Sequence, residues 1–250
     1  MNTKLLLLIS LFLTTATRIA ADNDPFGFNH LADSLERRIN QTTGEEKFQT
    51  IYRLYRVYGM TRESSDLFDL GSRAVSLADS IGVPKLRMEA RLMMLSYYNN
   101  LAQPDTFLTK VPPMAALAEE LGEWDTYFIL YDKIATWTRM AKGNDAVIEV
   151  TDHIYRKAKE LNNHIGLGSA LKLTGQTCIF QRRLDDAKKH LTEAIAEFDK
   201  VDVLPLKFEP YIFYALMPGR DKTSADRLEM LRLFEKDLAT LDKKMALRQT

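Results

Sequence analysis

The chain has 250 residues, 46% hydrophobic and 27% charged, and its 34 basic and 34 acidic side chains cancel. That balance excludes a disordered chain and leaves no net field to draw it onto a polyanion, so no nucleic-acid partner is expected. Eight prolines and eleven glycines are too few for a turn-rich all-β fold and favour long helices.

Met1 to Ala21 differs from the remainder. Lys4 supplies a positive start, Leu5 to Leu13 is apolar apart from Ser10, and Ile19-Ala20-Ala21 brings small residues up to Asp22. This is the pattern of a secretory signal peptide cleaved after Ala21. The apolar run is shorter than the roughly 20 residues of a membrane span, and no later stretch approaches that length. The mature chain is therefore expected to have no span and to be exported, to the periplasm or outside the cell. Residues 22–43 predict a polar leader and an N-terminal capping helix, with apolar positions at Leu31, Leu35 and Ile39. Thr43 and Glu46, three apart, predict a capping box for the next helix.

From residue 44 to 250 the chain repeats every 40 residues. Ile81, Leu121, Leu161, Val201 and Leu241 share this interval, as do Ala78, Ala118, Ala158, Phe198 and Leu238. Gly82, Gly122 and Asn162 follow the first three of the former set, and all suit a left-handed helix end. The period predicts an all-α solenoid of about five helix-turn-helix units. First helices are expected over 45–59, 84–101, 124–141, 164–180 and 205–217, and second helices over 64–81, 104–121, 144–161, 184–201 and 223–246. Pro112-Pro113 should split the second helix of the second unit, because proline removes a hydrogen bond and clashes with the preceding turn. Pro205, Pro210 and Pro218-Gly219 should shorten the first helix of the fifth unit. The last helix carries a stripe from Leu228 to Met245 with no partner repeat in the chain. It could pack on the array, on a further C-terminal segment, or across a two-fold axis in a homodimer.

No catalytic constellation stands out, so an enzyme is not expected. His30, His153, His164 and His190 are scattered and show no zinc-ligand spacing. Gly166-Leu167-Gly168 opens a helical pattern with no strand before it, unlike a phosphate-binding loop, and neither a metal nor a cofactor is expected. Cys178, the one cysteine, falls three residues after Gly175 on an apolar stripe and reads as core. The aromatic residues between Tyr52 and Trp137 lie mostly on interhelix stripes and also read as core.

The stretch from Leu171 to Phe198 is the best-formed hairpin. Gly175, Ala187 and Ala194 let two helices approach, while Leu171, Leu191 and Phe198 fill the space between them. This alternation of small and large residues resembles the tetratricopeptide repeat, TPR. The 40-residue unit exceeds the usual TPR of about 34 residues, and the other units replace Gly175 with Tyr55, Leu95, Ala135 and Ala215. Those departures leave open altered crossing angles or another α-solenoid.

The TPR resemblance implies a right-handed superhelix whose first helices line a concave face. The register of the fourth unit, carried backwards, places Gln49, Tyr52, Arg56, Glu89, Leu92, Ser96 and Asn99 on that face, followed by Asp132, Thr136, Arg139, Lys172, Gln176 and Ile179. Such a row suits a protein or peptide ligand. With a signal peptide ahead of the repeats, and with turns such as Ala118-Glu119-Glu120-Leu121-Gly122, the chain resembles the extracytoplasmic TPR sensor segment of bacterial two-component histidine kinases. That resemblance implies ligand sensing passed to a span and a cytoplasmic kinase. No such span or kinase motif follows up to Thr250, so the chain reads either as a piece of a longer sensor or as a stand-alone exported scaffold.

Overall fold

The computed structural model describes residues 27–201, 204–217 and 225–247. Every regular element among them is helical, and the chain divides into two compact units, Met1–Gln103 and Pro104–Thr250. The predicted signal peptide and most of the leader lie outside the described residues. Among those described, no helix is long and apolar enough to cross a membrane.

The first unit holds α1 (Phe28–Ile39), α2 (Gly44–Thr61), α3 (Ser64–Ile81) and α4 (Pro84–Asn100). Each packs on the next, and α2 also reaches α4. The buried face of α1 is Ala32, Leu35 and Ile39, while Leu31, expected inside, is 46% exposed. The predicted capping box is absent. Thr43 has the extended backbone of a helix-capping residue but makes no side-chain cap, and Glu46 instead pairs with Arg38 at 2.9 Å. The reason is proximity, since Arg38 in the last turn of α1 offers a full charge where the Thr43 N–H offers a dipole.

The second unit runs through α5 (Pro104–Lys110), α6 (Pro112–Glu120), α7 (Trp124–Lys142), α8 (Asp145–Glu160), α9 (His164–Phe180) and α10 (Leu184–Phe198). A 3₁₀ turn (Leu204–Lys207), α11 (Phe208–Ala215) and α12 (Ala225–Leu247) follow. Contacts join sequence neighbours and next neighbours, with α7 meeting α9 and α9 meeting α11. This is the contact pattern of a helical solenoid, in which each hairpin buries its apolar face on the adjacent one. The helix break expected at Pro112-Pro113 occurs at Val111, and Pro112 takes the first helical position, where its missing N–H costs nothing. Pro205 and Pro210 likewise confine α11 to a short helix behind a 3₁₀ turn. In the α9/α10 hairpin the fully buried leucines are Leu173 and Leu191, whereas Leu171 is only half-buried.

Three turns of the second unit share one mechanism. Gly122 has φ 69°, its N–H bonds the Glu119 carbonyl at 3.1 Å, and the Glu123 N–H bonds that of Ala118 at 2.9 Å. This Schellman closure satisfies two carbonyls that the helix end would leave bare. Asn162 and Arg182 repeat it, at φ 50° and 64°. For Arg182 the left-handed backbone carries a penalty of about 1 kcal/mol that glycine avoids. Arg182→Gly is therefore expected to raise stability by about 0.5 kcal/mol after the entropic cost of glycine. The check is the denaturant midpoint, and a fall in it would mean that the arginine side chain makes a stabilising contact.

Candidate binding surfaces

In the first unit, helical spacing of three and four puts Tyr52 and Arg56 on one face of α2 and Glu89, Leu92 and Ser96 on one face of α4. These residues line a groove of about 220 Å³, with Tyr55 and Met93 beneath. Tyr55 is buried and donates its hydroxyl to the Met93 carbonyl at 2.5 Å, tying α2 to α4 under the groove. Burial pushes the Tyr55 phenol up to about 12, so it stays a neutral donor. Arg56 and Ser96 are exposed, Tyr52 is 36% exposed, and Glu89 and Leu92 are half-buried. The groove thus presents a cation, an anion, a hydroxyl, an aromatic ring and an apolar side chain. Gln49 and Asn99, both exposed, lie one turn outside it on the same faces.

The continuation of that row in the second unit has turned inward. Asp132 and Lys172 have side chains only 8% and 4% exposed. The Lys172 ammonium lies 2.7 and 2.9 Å from the two Asp132 oxygens and 2.6 Å from Glu209 Oε2, and Lys133 reaches Glu209 Oε1 at 3.3 Å. One four-residue network therefore connects α7, α9 and α11. Burial alone would raise the Glu209 carboxyl, but Lys172 and Lys133 outweigh it and hold the group at about 2. Burial also works against the Lys172 ammonium, and its two carboxylates overcome this and raise its pKa.

Two turns along α7, Arg139 donates to Gln176 Oε1, and at 3.3 Å to both the Leu173 carbonyl and Thr177 Oγ1. Its guanidinium also lies 5.6 Å from the centre of the Phe180 ring. Thr136 bonds the Asp132 carbonyl at 3.0 Å, and Ile179 packs against the cluster of Cys178, Leu191 and Tyr214. The charged side chains named here from α7 and α9 each have a partner within the protein, although the buried Arg139 Nε makes no hydrogen bond. Sequence reasoning missed Glu209, but the pairing of Asp132 with Lys172 had a visible signal. They stand 40 apart at one register, so opposite charges on adjacent first helices face each other.

Cys178 is fully buried, and burial raises its thiol pKa despite the Arg183 guanidinium 3.2 Å away. Among the described residues no three His, Cys, Asp or Glu side chains gather to hold a metal. On α12, Phe234 packs against Phe208 and Tyr211, while Leu228 and Leu231 are each 47% exposed and Leu238 is 37% exposed. The Leu241 and Met245 side chains, at the far end of that stripe, lie outside the described residues.

No protein-family model matches the chain, and no curated protein sequence matches it. Among solved structures it is similar to the crystal structure of BtubC (BKLC) from P. vanneervenii, with a TM-score of 0.56, 11% identity and 89% of each chain covered. At that identity the likeness concerns the helical fold alone.

Proposed function

We propose that this chain is an exported, TPR-like α-solenoid that binds an extended peptide or protein segment, as the sensory part of a two-component signalling system. The observation that carries the reading is the groove between α2 and α4, where Tyr52, Arg56, Glu89, Leu92 and Ser96 come together. An extended peptide offers backbone donors and acceptors on both edges, and Arg56, Glu89 and Ser96 can meet both kinds. Tyr52 and Leu92 supply flat and branched apolar surface for its side chains. Recognition falls to this groove rather than to Asp132, Lys172 and Arg139, whose charges already have partners.

The test is a displayed random-peptide library selected on the full chain. Enriched peptides are expected to bind at least about tenfold more weakly to Tyr52→Ala and to Arg56→Glu. Their affinity for Arg38→Ala, outside the groove, should be unchanged. Peptides indifferent to both groove changes would remove the reading. Export is read by N-terminal sequencing of the chain from the cells that make it, which should begin at Asp22 and would speak against export if Met1 remained.

The exposed Leu228 and Leu231 favour a second reading, a homo-oligomer joined through α12. Sedimentation separates the two, since an oligomer that Leu231→Lys dissociates supports the second and a monomer at all concentrations removes it.

A further inference from the structure

In the groove between α2 and α4, Glu89 is half-buried, yet among the described residues it makes no ion pair and no hydrogen bond. Other charges of α4 do pair, since Arg87 and Arg91 reach Asp79 at 3.3 and 3.0 Å. Lys85, four residues before Glu89, stands in the weaker order for a helical pair, with the lysine N-terminal to the glutamate. Arg56 lines the groove from α2 and likewise forms no ion pair among the described residues. The helix offers nothing either. Glu89 lies past the first turn of Pro84–Asn100, where backbone N–H groups are spent on carbonyls one turn back. A carboxylate partly withdrawn from water gains more from an incoming cation than an open one does, because solvent and salt screen the pair less.

The surroundings of Glu89 select among cations. Tyr52 offers an accessible aromatic ring, and Leu92, three residues along α4, offers aliphatic surface. A guanidinium is planar, stacks on an aromatic ring and meets both oxygens of a carboxylate at once, whereas an ammonium is a compact, strongly hydrated point charge. The methylene stem of an arginine also covers apolar surface of the kind Leu92 presents. At about 220 Å³ the groove is smaller than a drug-sized pocket and suits one long side chain of a larger ligand.

We propose, resting on the peptide-binding reading of this groove, that the bound segment carries an arginine whose guanidinium pairs with Glu89 and stacks on Tyr52. Glu89 is then the residue that decides which sequences bind. Ser96 and Arg56 remain for the backbone of the segment and for its other side chains.

The experiment is fluorescence anisotropy of the full chain with labelled heptapeptide pools, blocked at both ends. The central residue is arginine, citrulline or glutamate, and the outer positions are degenerate over residues other than lysine and arginine. Citrulline keeps the arginine shape without its charge, so the comparison on the unaltered protein needs no variant to fold. The arginine pool is expected to half-saturate at a concentration at least about tenfold lower than either other pool. Glu89→Gln, nearly isosteric, should bring the arginine pool to the citrulline level, and Glu89→Arg should reverse the order in favour of glutamate. If the three pools bind alike and Tyr52→Ala weakens all of them, the groove reading survives and the arginine assignment is overturned. A preference for arginine that persists in Glu89→Gln of unchanged melting temperature overturns the role of Glu89. Absence of binding by every pool up to about 1 mM overturns both.

Discussion

Lys172→Met is expected to destabilise the protein by about 3 kcal/mol, lowering the melting temperature by roughly 6–12 °C. Methionine keeps the length of the stem, so little packing is lost. What disappears is the ammonium that neutralises Asp132, a carboxylate only 8% exposed. A buried charge whose partner is removed costs more than the pair contributed, because desolvation has already occurred and nothing offsets it. The control is Lys172→Met with Asp132→Leu, which should recover most of the loss because no buried charge is then unpaired. Denaturant unfolding of both variants decides it, and a loss under about 1 kcal/mol for the single change would mean that water reaches Asp132. The same network sets a pH window. Glu209 titrates near 2 when folded and near 4.5 otherwise, so its contribution is complete above about 4.5 and lost as pH falls toward 2. Lys172 is shifted upward from 10.5, so its contribution is complete below that value and disappears only at higher pH.

Gly166→Val is expected to cost a similar amount, about 3 kcal/mol, through crowding. A Cβ at Gly166 would stand 2.6 Å from the Ala158 Cβ on α8 and 2.7 Å from the Phe128 ring on α7. Neither neighbour is the free end of a flexible chain, so the helices themselves must separate. Gly168 is tight too, with the Phe198 ring on α10 at 2.5 Å from a built Cβ. Gly175 is more forgiving, because it meets Leu191 side-chain atoms at 2.9 and 3.0 Å. The contrast is Gly59, a helical glycine with nothing within 4 Å, where Gly59→Ala should stabilise by about 0.5–1 kcal/mol through helix propensity. Thermal unfolding of the two variants should move in opposite directions. If Gly166→Val melted unchanged, the close approach of α9 to α7 and α8 would be refuted.

Gly175, Ala187 and Ala194 are legible as close-packing residues because they recur at helical spacing across a hairpin. Gly166 and Gly168 are not, since they only open the helical pattern ahead of the periodic stripe and nothing in their spacing marks a close approach. The groove between α2 and α4 was accessible from register alone, because Tyr52, Arg56, Glu89, Leu92 and Ser96 sit at matched positions of neighbouring units. The inward turn of the same row in the second unit was not. It depends on Glu209, which α11 brings against Lys172 and Lys133.

Helix starts at Gly44, Pro84, Trp124 and His164, the break at Pro112 and the left-handed turns at Gly82, Gly122 and Asn162 all follow from residues within a few positions of each feature. Backbone sterics, capping and proline chemistry act over one or two turns of chain, so these features are written locally and can be read locally. The exposure of Leu31, the pairing of Glu46 with Arg38 rather than Thr43, the burial of Lys172 and the unpaired carboxylate of Glu89 are of another kind. Each depends on which side chains a neighbouring helix delivers to one point in space, and burial and charge pairing are properties of that meeting rather than of any stretch of sequence.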